Sequence, residues 1–250
     1  MNLKALIFDL DDTLWPVAPL IQEAEKSLHV WIADQIPSVV AAYSIDDLRQ
    51  QRQALVATDP RFAYDLWALR HTLLSQVFAE HGAAPALADE AMQVFAQARN
   101  RVNFYADVLP SLTTLKEHFV LGSISNGFAD ITAIGLDQHF SVSLAAHTFG
   151  CAKPDPKIFL AMMEHLNLNS NELMYIGDDL RLDVQGAQQV GMAATWVNRR
   201  DISLADAGHP NIKPDLIVKD LHELLQKLLW DLKLAINVVK YQCKNAAILP

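Results

Sequence analysis

The first apolar run of the chain, Leu3–Asp9 (LKALIFD), constrains its fold more than any other feature, because it stands alone. It is short, apolar and ends abruptly in acid, as a strand buried on both faces does. From about Ala18 to Asn103 the pattern is helical, with almost no strand-like run. Leu20–Ile36, Ile45–Ala57, Arg61–Glu80 and Ala86–Arg101 are the candidate helices, bounded by Pro37, Pro60 and the Gly82–Pro85 segment. In Arg61–Glu80, the residues Phe62, Leu66, Leu69, Leu73, Val77 and Phe78 recur with the spacing of one buried helix face.

From Val108 onward strand and helix alternate. Phe119–Ser125, Ser141–Ala145, Glu172–Gly177, Ala193–Val197 and Leu216–Val218 read as strands. Ala129–Ile134, Pro156–Leu166, Asp183–Val190 and a segment from Asp220 read as helices. Alternation of this kind builds βαβ units and a mostly parallel sheet. The expected fold class is therefore α/β: a doubly wound core of residues 1–15 and 107–227, interrupted by an all-helical insert over 16–106. Beyond it, 228–250 is expected to add a packed helix, since Trp230, Leu234, Val238 and Tyr241 share one helical face.

The chain has 250 residues, 51% of them apolar and 20% charged, enough for one large domain or a core with a smaller companion. A net charge of −9 argues against a non-specific nucleic-acid surface. One local cation can still attract a small anionic substrate. Cys151 and Cys243 lie far apart without CxxC or Cys/His spacing, so neither a disulfide framework nor a zinc site is expected. Leu3–Phe8 is too short and too soon cut by acid for a signal peptide. No stretch approaches the ~18 apolar residues of a membrane span. The expected location is the cytoplasm, with no nucleic-acid or membrane partner.

In open parallel sheets ligands bind at the carboxyl ends of the strands. Four strand ends here carry polar groups. The first is Asp9-Leu10-Asp11-Asp12-Thr13. Asp9 and Asp11 are two apart on a chain leaving a strand, so both can turn toward one pocket. Carboxylates held that close repel unless a cation sits beside them, and oxygen-rich sites suit magnesium. One carboxylate can then serve as nucleophile and its neighbour as proton donor and acceptor. Helix capping explains the same segment without chemistry. The second end, Ser125-Asn126-Gly127, offers a hydroxyl and an amide to phosphate oxygens, or is a plain turn. The third, Lys153-Pro154, offers a point charge, or is a solvated loop lysine. The fourth is Gly177-Asp178-Asp179-Leu180-Arg181-Leu182-Asp183. There Asp178 is the natural further metal ligand, while Asp179 and Asp183 either support metal-bound water and Lys153 or cap the next helix.

In this order the residues resemble the haloacid dehalogenase superfamily. That family is marked by a DxDx[TV] turn (Asp9, Asp11, Thr13), a Ser or Thr after a second strand (Ser125), a lysine (Lys153) and an acidic GD turn (Gly177-Asp178). The resemblance runs from Met1 to about Leu225, and the helical insert looks like the family's mobile cap. It implies that Asp9 is the nucleophile and Asp11 the general acid/base. It also implies that Mg2+ is held by the Asp9 carboxylate, the Asp11 carbonyl and Asp178. Ser125, Asn126 and Lys153 would bind the substrate phosphate, supported by Thr13, Asp179 and Asp183. The second aspartate favours phosphatase over dehalogenase chemistry, because a carbon–halogen substrate has no alkoxide to protonate.

The resemblance is nearest to bacterial nucleotide and sugar phosphatases, in particular those acting on flavin mononucleotide. The expected substrate is a small phosphate ester and the protein a monomer or weak homodimer. A phosphomutase and a catalytically silent binding module are the alternatives. Trp15, Trp67 and Arg70 are the candidates to meet the leaving group, with core packing as the plainer role for Trp67.

Overall fold

A computed structural model describes residues 2–229 of the protein. Its framework is six strands, β1 (Ala5–Phe8), β2 (Val120–Ser125), β3 (Val142–Ala145), β4 (Leu173–Gly177), β5 (Ala193–Val197) and β6 (Leu216–Val218). They lie in the order β3-β2-β1-β4-β5-β6, and every neighbouring pair is parallel. The isolated first strand is thus the centre of the sheet. Ala5, Leu6, Ile7 and Phe8 are all fully buried, which is why the run is apolar without alternation. Leu6 and Phe8 enter one core, while Ala5 and Ile7 enter the core on the opposite face.

The first five α-helices after β1 are α1 (Val17–Gln35), α2 (Pro37–Ala42), α3 (Ile45–Leu55), α4 (Leu66–Glu80) and α5 (Ala86–Arg99). Their inward faces form a third core that includes Leu28, Ile32, Leu74, Val77, Phe78, Met92 and Phe95. The later helices are α6 (Val108–Leu115), α7 (Ile131–Ile134), α8 (Ala146–Phe149), α9 (Pro156–Leu166) and α10 (Gly186–Gln189). Of these, α6 and α8 are elements that the apolar pattern does not mark.

Three expected helices differ in detail, each for a local reason. The segment expected as Arg61–Glu80 is split: Pro60–Ala63 forms a 3-10 turn, and Asp65 restarts the chain by accepting a hydrogen bond from the Ala68 amide at 2.8 Å. Pro37 does not simply end a helix but opens α2, because its missing N–H costs nothing in a first turn. The helix expected to start at Asp183 begins earlier as a wide π segment, Leu180–Gln185, capped by Asp179. At the chain end residues 221–229 are helical. Trp230, Leu234, Val238 and Tyr241 lie outside the described residues. No helix among the described residues is long and apolar enough to cross a membrane.

Candidate active site

The sheet order turns at β1, so the chain leaves on opposite sides toward β2 and β4, and a crevice opens at the strand carboxyl ends. Phe8 lies opposite Ser123 of β2 and Ile176 of β4. Asp9 therefore emerges level with Gly177 and with Ile124, one residue before Ser125, and three of the four polar strand ends meet. The fourth arrives through Lys153, which precedes α9.

Lys153 lies at the centre. Its ammonium donates to Asp9 Oδ1 at 2.5 Å, to Asp183 Oδ1 at 2.7 Å and to the Tyr175 hydroxyl at 2.9 Å. All three N–H groups are used, and the side chain is 2% exposed. Burial alone would lower its pKa, but Asp183 and then Asp9 outweigh it and hold the ammonium well above its ordinary value. Burial pushes the Asp9 carboxyl well up, against the pull of Lys153. Asp178 is pushed up to about 7, by burial first and then by Asp183 and Asp12. One oxygen each of Asp9, Asp178 and Asp183 lies within 4.8 Å of the others.

The acidic turn is held from several sides. Thr13 Oγ1 donates to Asp178 Oδ1 at 3.1 Å. Asp12 takes a left-handed backbone at φ 59°, a region aspartate tolerates better than most residues, and its carboxylate accepts from the Val17 amide at 2.9 Å. Arg199 donates to the Thr13 carbonyl at 2.9 Å while gripping both oxygens of Asp107. Asp11 turns away from Lys153. Its carboxylate accepts from Trp15 Nε1 at 2.8 Å and from Arg99 Nη2 at 2.6 and 2.7 Å.

Two expected positions behave otherwise. Asn126 donates to the Lys153 carbonyl at 3.0 Å and accepts from its amide at 2.8 Å, so this side chain pins the lysine's backbone with its oxygen and one N–H. Asp179 does not brace Lys153; it accepts from the Arg181 and Leu182 amides as a helix cap. The bracing falls to Asp183, whose second oxygen accepts from the Asp179 amide at 3.0 Å. Ser125 Oγ accepts from the Gly127 amide at 3.0 Å and is buried at the end of β2.

The haloacid dehalogenase-like hydrolase family model matches residues 3–191. The chain belongs to that family. The 5-amino-6-(5-phospho-D-ribitylamino)uracil phosphatase YigB of Escherichia coli (strain K12) is 30% identical over 89% of this chain and 95% of its own length. A glyceraldehyde 3-phosphate phosphatase of Methanopyrus kandleri is 28% identical over 89% of this chain and 96% of its own. A crystal structure of a 2-haloacid dehalogenase from Pseudomonas syringae pv. Tomato DC3000 superposes with a TM-score of 0.84 at 34% identity, over 91% of this chain and 98% of that one.

Within this haloacid dehalogenase-like frame, three groups at the site escape a reading of motifs. Tyr175 is legible only as one aromatic in an aliphatic strand, yet its hydroxyl bridges Lys153 and the Ile124 carbonyl. Trp196 Nε1 donates to the Asp178 carbonyl at 2.8 Å. Arg99 reads merely as a cation ending a helix. Of the three candidates for the leaving group, Trp15 reaches the site through Asp11. Trp67 is partly buried against the core of the insert and also meets Phe128 of the loop after β2 edge-on, ring centroids 5.5 Å apart. Arg70 is a correction: it lies inside the insert, 3.7 Å above the Phe95 ring and beside Glu25.

Proposed function

We propose that the protein is a magnesium-dependent phosphatase of small phosphomonoesters, working through a phosphorylated Asp9. The observation that carries this function is the buried Asp9 carboxylate, held by Lys153 within one cluster with Asp178 and Asp183. The phosphatase names of the two curated relatives support the same chemistry.

The donor set suits a hard divalent cation. Four carboxylates (Asp9, Asp11, Asp178, Asp183) stand against two cations, Lys153 and Arg99, which leaves two negative charges for a dication to balance. The raised pKa values of Asp9 and Asp178, due to burial first and then to acidic neighbours that include Asp183, favour a cation at the same place. Asp183 is occupied at both oxygens, so Asp9 and Asp178 would hold the metal through carboxylates, and Asp11 through its carbonyl. When bound, magnesium supplies charge neutralisation for the phosphoryl oxygens.

The remaining work belongs to the chain. Asp9 attacks phosphorus and displaces the ester oxygen, which takes its proton from Asp11; water then cleaves the acyl phosphate as Asp11 takes a proton back. Ser125 and the second N–H of Asn126 bind phosphoryl oxygens, and Lys153, its N–H groups already on Asp9, Asp183 and Tyr175, holds the nucleophile and lends its charge to the phosphate. Burial of Asp9 and Lys153 strengthens the electrostatic contact between them. The substrate would be flavin mononucleotide, its riboflavin-precursor phosphate, or another nucleotide or sugar phosphate, and the helical insert would select it.

The test is phosphate release from a panel of such esters, including flavin mononucleotide, nucleoside monophosphates, sugar phosphates and phosphoglycolate, with magnesium and with EDTA. Metal-dependent turnover lost in Asp9→Asn is expected. Halide release from 2-haloacids without phosphate release from any ester would overturn the proposal in favour of the dehalogenase-like neighbour's chemistry.

A further inference from the structure

We infer that Arg99 is the residue the helical insert delivers to the substrate, where it binds an oxygen on the leaving portion next to the ester carbon. This rests on the phosphatase function proposed above and names the class of ester that the site would choose.

Arg99 ends α5 and its side chain is 2% exposed. Its Nη2 alone contacts both oxygens of Asp11. Asp11 is the group that must meet the departing oxygen, so whatever lies against it borders the leaving group. A purely structural arginine–carboxylate pair favours the forked arrangement, with two nitrogens facing two oxygens. Here one nitrogen makes both contacts, and Arg99 Nη1 is buried with no hydrogen-bond partner among the described residues. Buried donors are rarely left unmatched in native interiors, and an acceptor on the ligand would match this one.

The surroundings keep that approach open. A Cβ on Gly127 would stand 2.7 Å from Asp11 Oδ2 and 3.3 Å from Arg99 Nη2, so only glycine leaves room for the pair. The end of α5 is fastened to the loop that carries the phosphate-binding serine. Asn100 Oδ1 accepts from the Asp130 amide at 3.1 Å, and Phe128 packs against Trp67 and Phe95. Docking of the insert therefore sets Arg99 and the phosphate loop together. For Asp11 to reach an ester oxygen, Nη2 must release one of its two contacts, and an oxygenated leaving portion supplies replacements. The class selected is an ester with a hydroxyl, carbonyl or carboxylate beside the ester carbon, as in polyol, sugar and hydroxy-acid phosphates. Plain alkyl and aryl esters lack the partner.

The experiment compares glycerol 3-phosphate with n-propyl phosphate in the parent protein and in Arg99→Lys, with p-nitrophenyl phosphate as reference. Lysine keeps the charge near Asp11 but loses the second nitrogen. The parent is expected to prefer glycerol 3-phosphate by about 10- to 100-fold in kcat/KM, the scale of one hydrogen bond to a charged group. In Arg99→Lys that preference should shrink toward unity. No preference in the parent, or an equal preference in the variant, overturns the inference even if p-nitrophenyl phosphate is turned over by the parent and not by Asp9→Asn. Phosphate release from none of these three esters, nor from any ester of the panel above, overturns the phosphatase function itself, and the role of Arg99 with it.

Discussion

Lys153 shows how one residue can hold a charged site together. Its ammonium faces Asp9 and Asp183 with no water-exposed side, and the tyrosine hydroxyl completes its three bonds. A buried ion pair adds little over an apolar replacement, but removing one partner leaves charge stranded in a low dielectric. Lys153→Met should therefore cost about 3–5 kcal/mol in urea unfolding, besides abolishing turnover. A loss below about 1 kcal/mol would mean that Asp9 and Asp183 relax to water when the lysine goes. Asp11 makes the contrast, two positions from Asp9 yet in a different environment. Its partners are an indole N–H and a guanidinium rather than the ammonium.

At the scale of elements, the segment after β4 is the most demanding. Asp179 caps it, and the wide turn of Leu180–Gln185 carries Asp183 back over the end of the strand to Lys153. Gly177 lies directly beneath, and any Cβ there would overlap the Asp183 carboxyl. Gly177→Ala is expected to push Asp183 off Lys153, costing about 1–3 kcal/mol as overpacking does, with a fall in kcat. Thermal unfolding and steady-state kinetics of the same variant check both. A stable variant with lowered kcat would place the damage in the site alone; full activity would show that Asp183 has room to move. The wide turn is also why the expected start at Asp183 was misplaced. An aspartate before an apolar helical run reads as a cap, and two such aspartates stand four positions apart.

For the whole molecule, the governing quantity is the charge collected where three strands end. In a metal-free protein Asp178 titrates near 7, far above an unfolded carboxyl, because of burial and then its acidic neighbours Asp183 and Asp12. Between about pH 4 and about pH 7 the unfolded chain has lost this proton while the folded one keeps it, so stability falls as pH rises. Above about pH 7 the penalty is complete and constant. Thermal unfolding in EDTA should show Asp178→Asn gaining on the parent from pH 5 to pH 8. Magnesium at a hundredfold excess over Kd should stabilise the parent by about 2.7 kcal/mol, should raise its Tm more at pH 8 than at pH 5, and should do little for the variant. Equal shifts at both pH values would remove Asp178 from the metal site. The fold class, the parallel sheet and the polar strand ends were all legible in the chain, because apolar runs, alternation and turn residues are local signals. Arg99 and Asp11 are 88 positions apart, and Lys153 and Asp9 are 144 apart. No local pattern carries such pairs. Sequence by itself determined that a buried central strand would end in acid amid other polar strand ends. Only the tertiary structure decided which carboxylate meets the lysine, which meets the arginine, and that Arg70 turns inward, because those partners are set by how separate elements pack around one another.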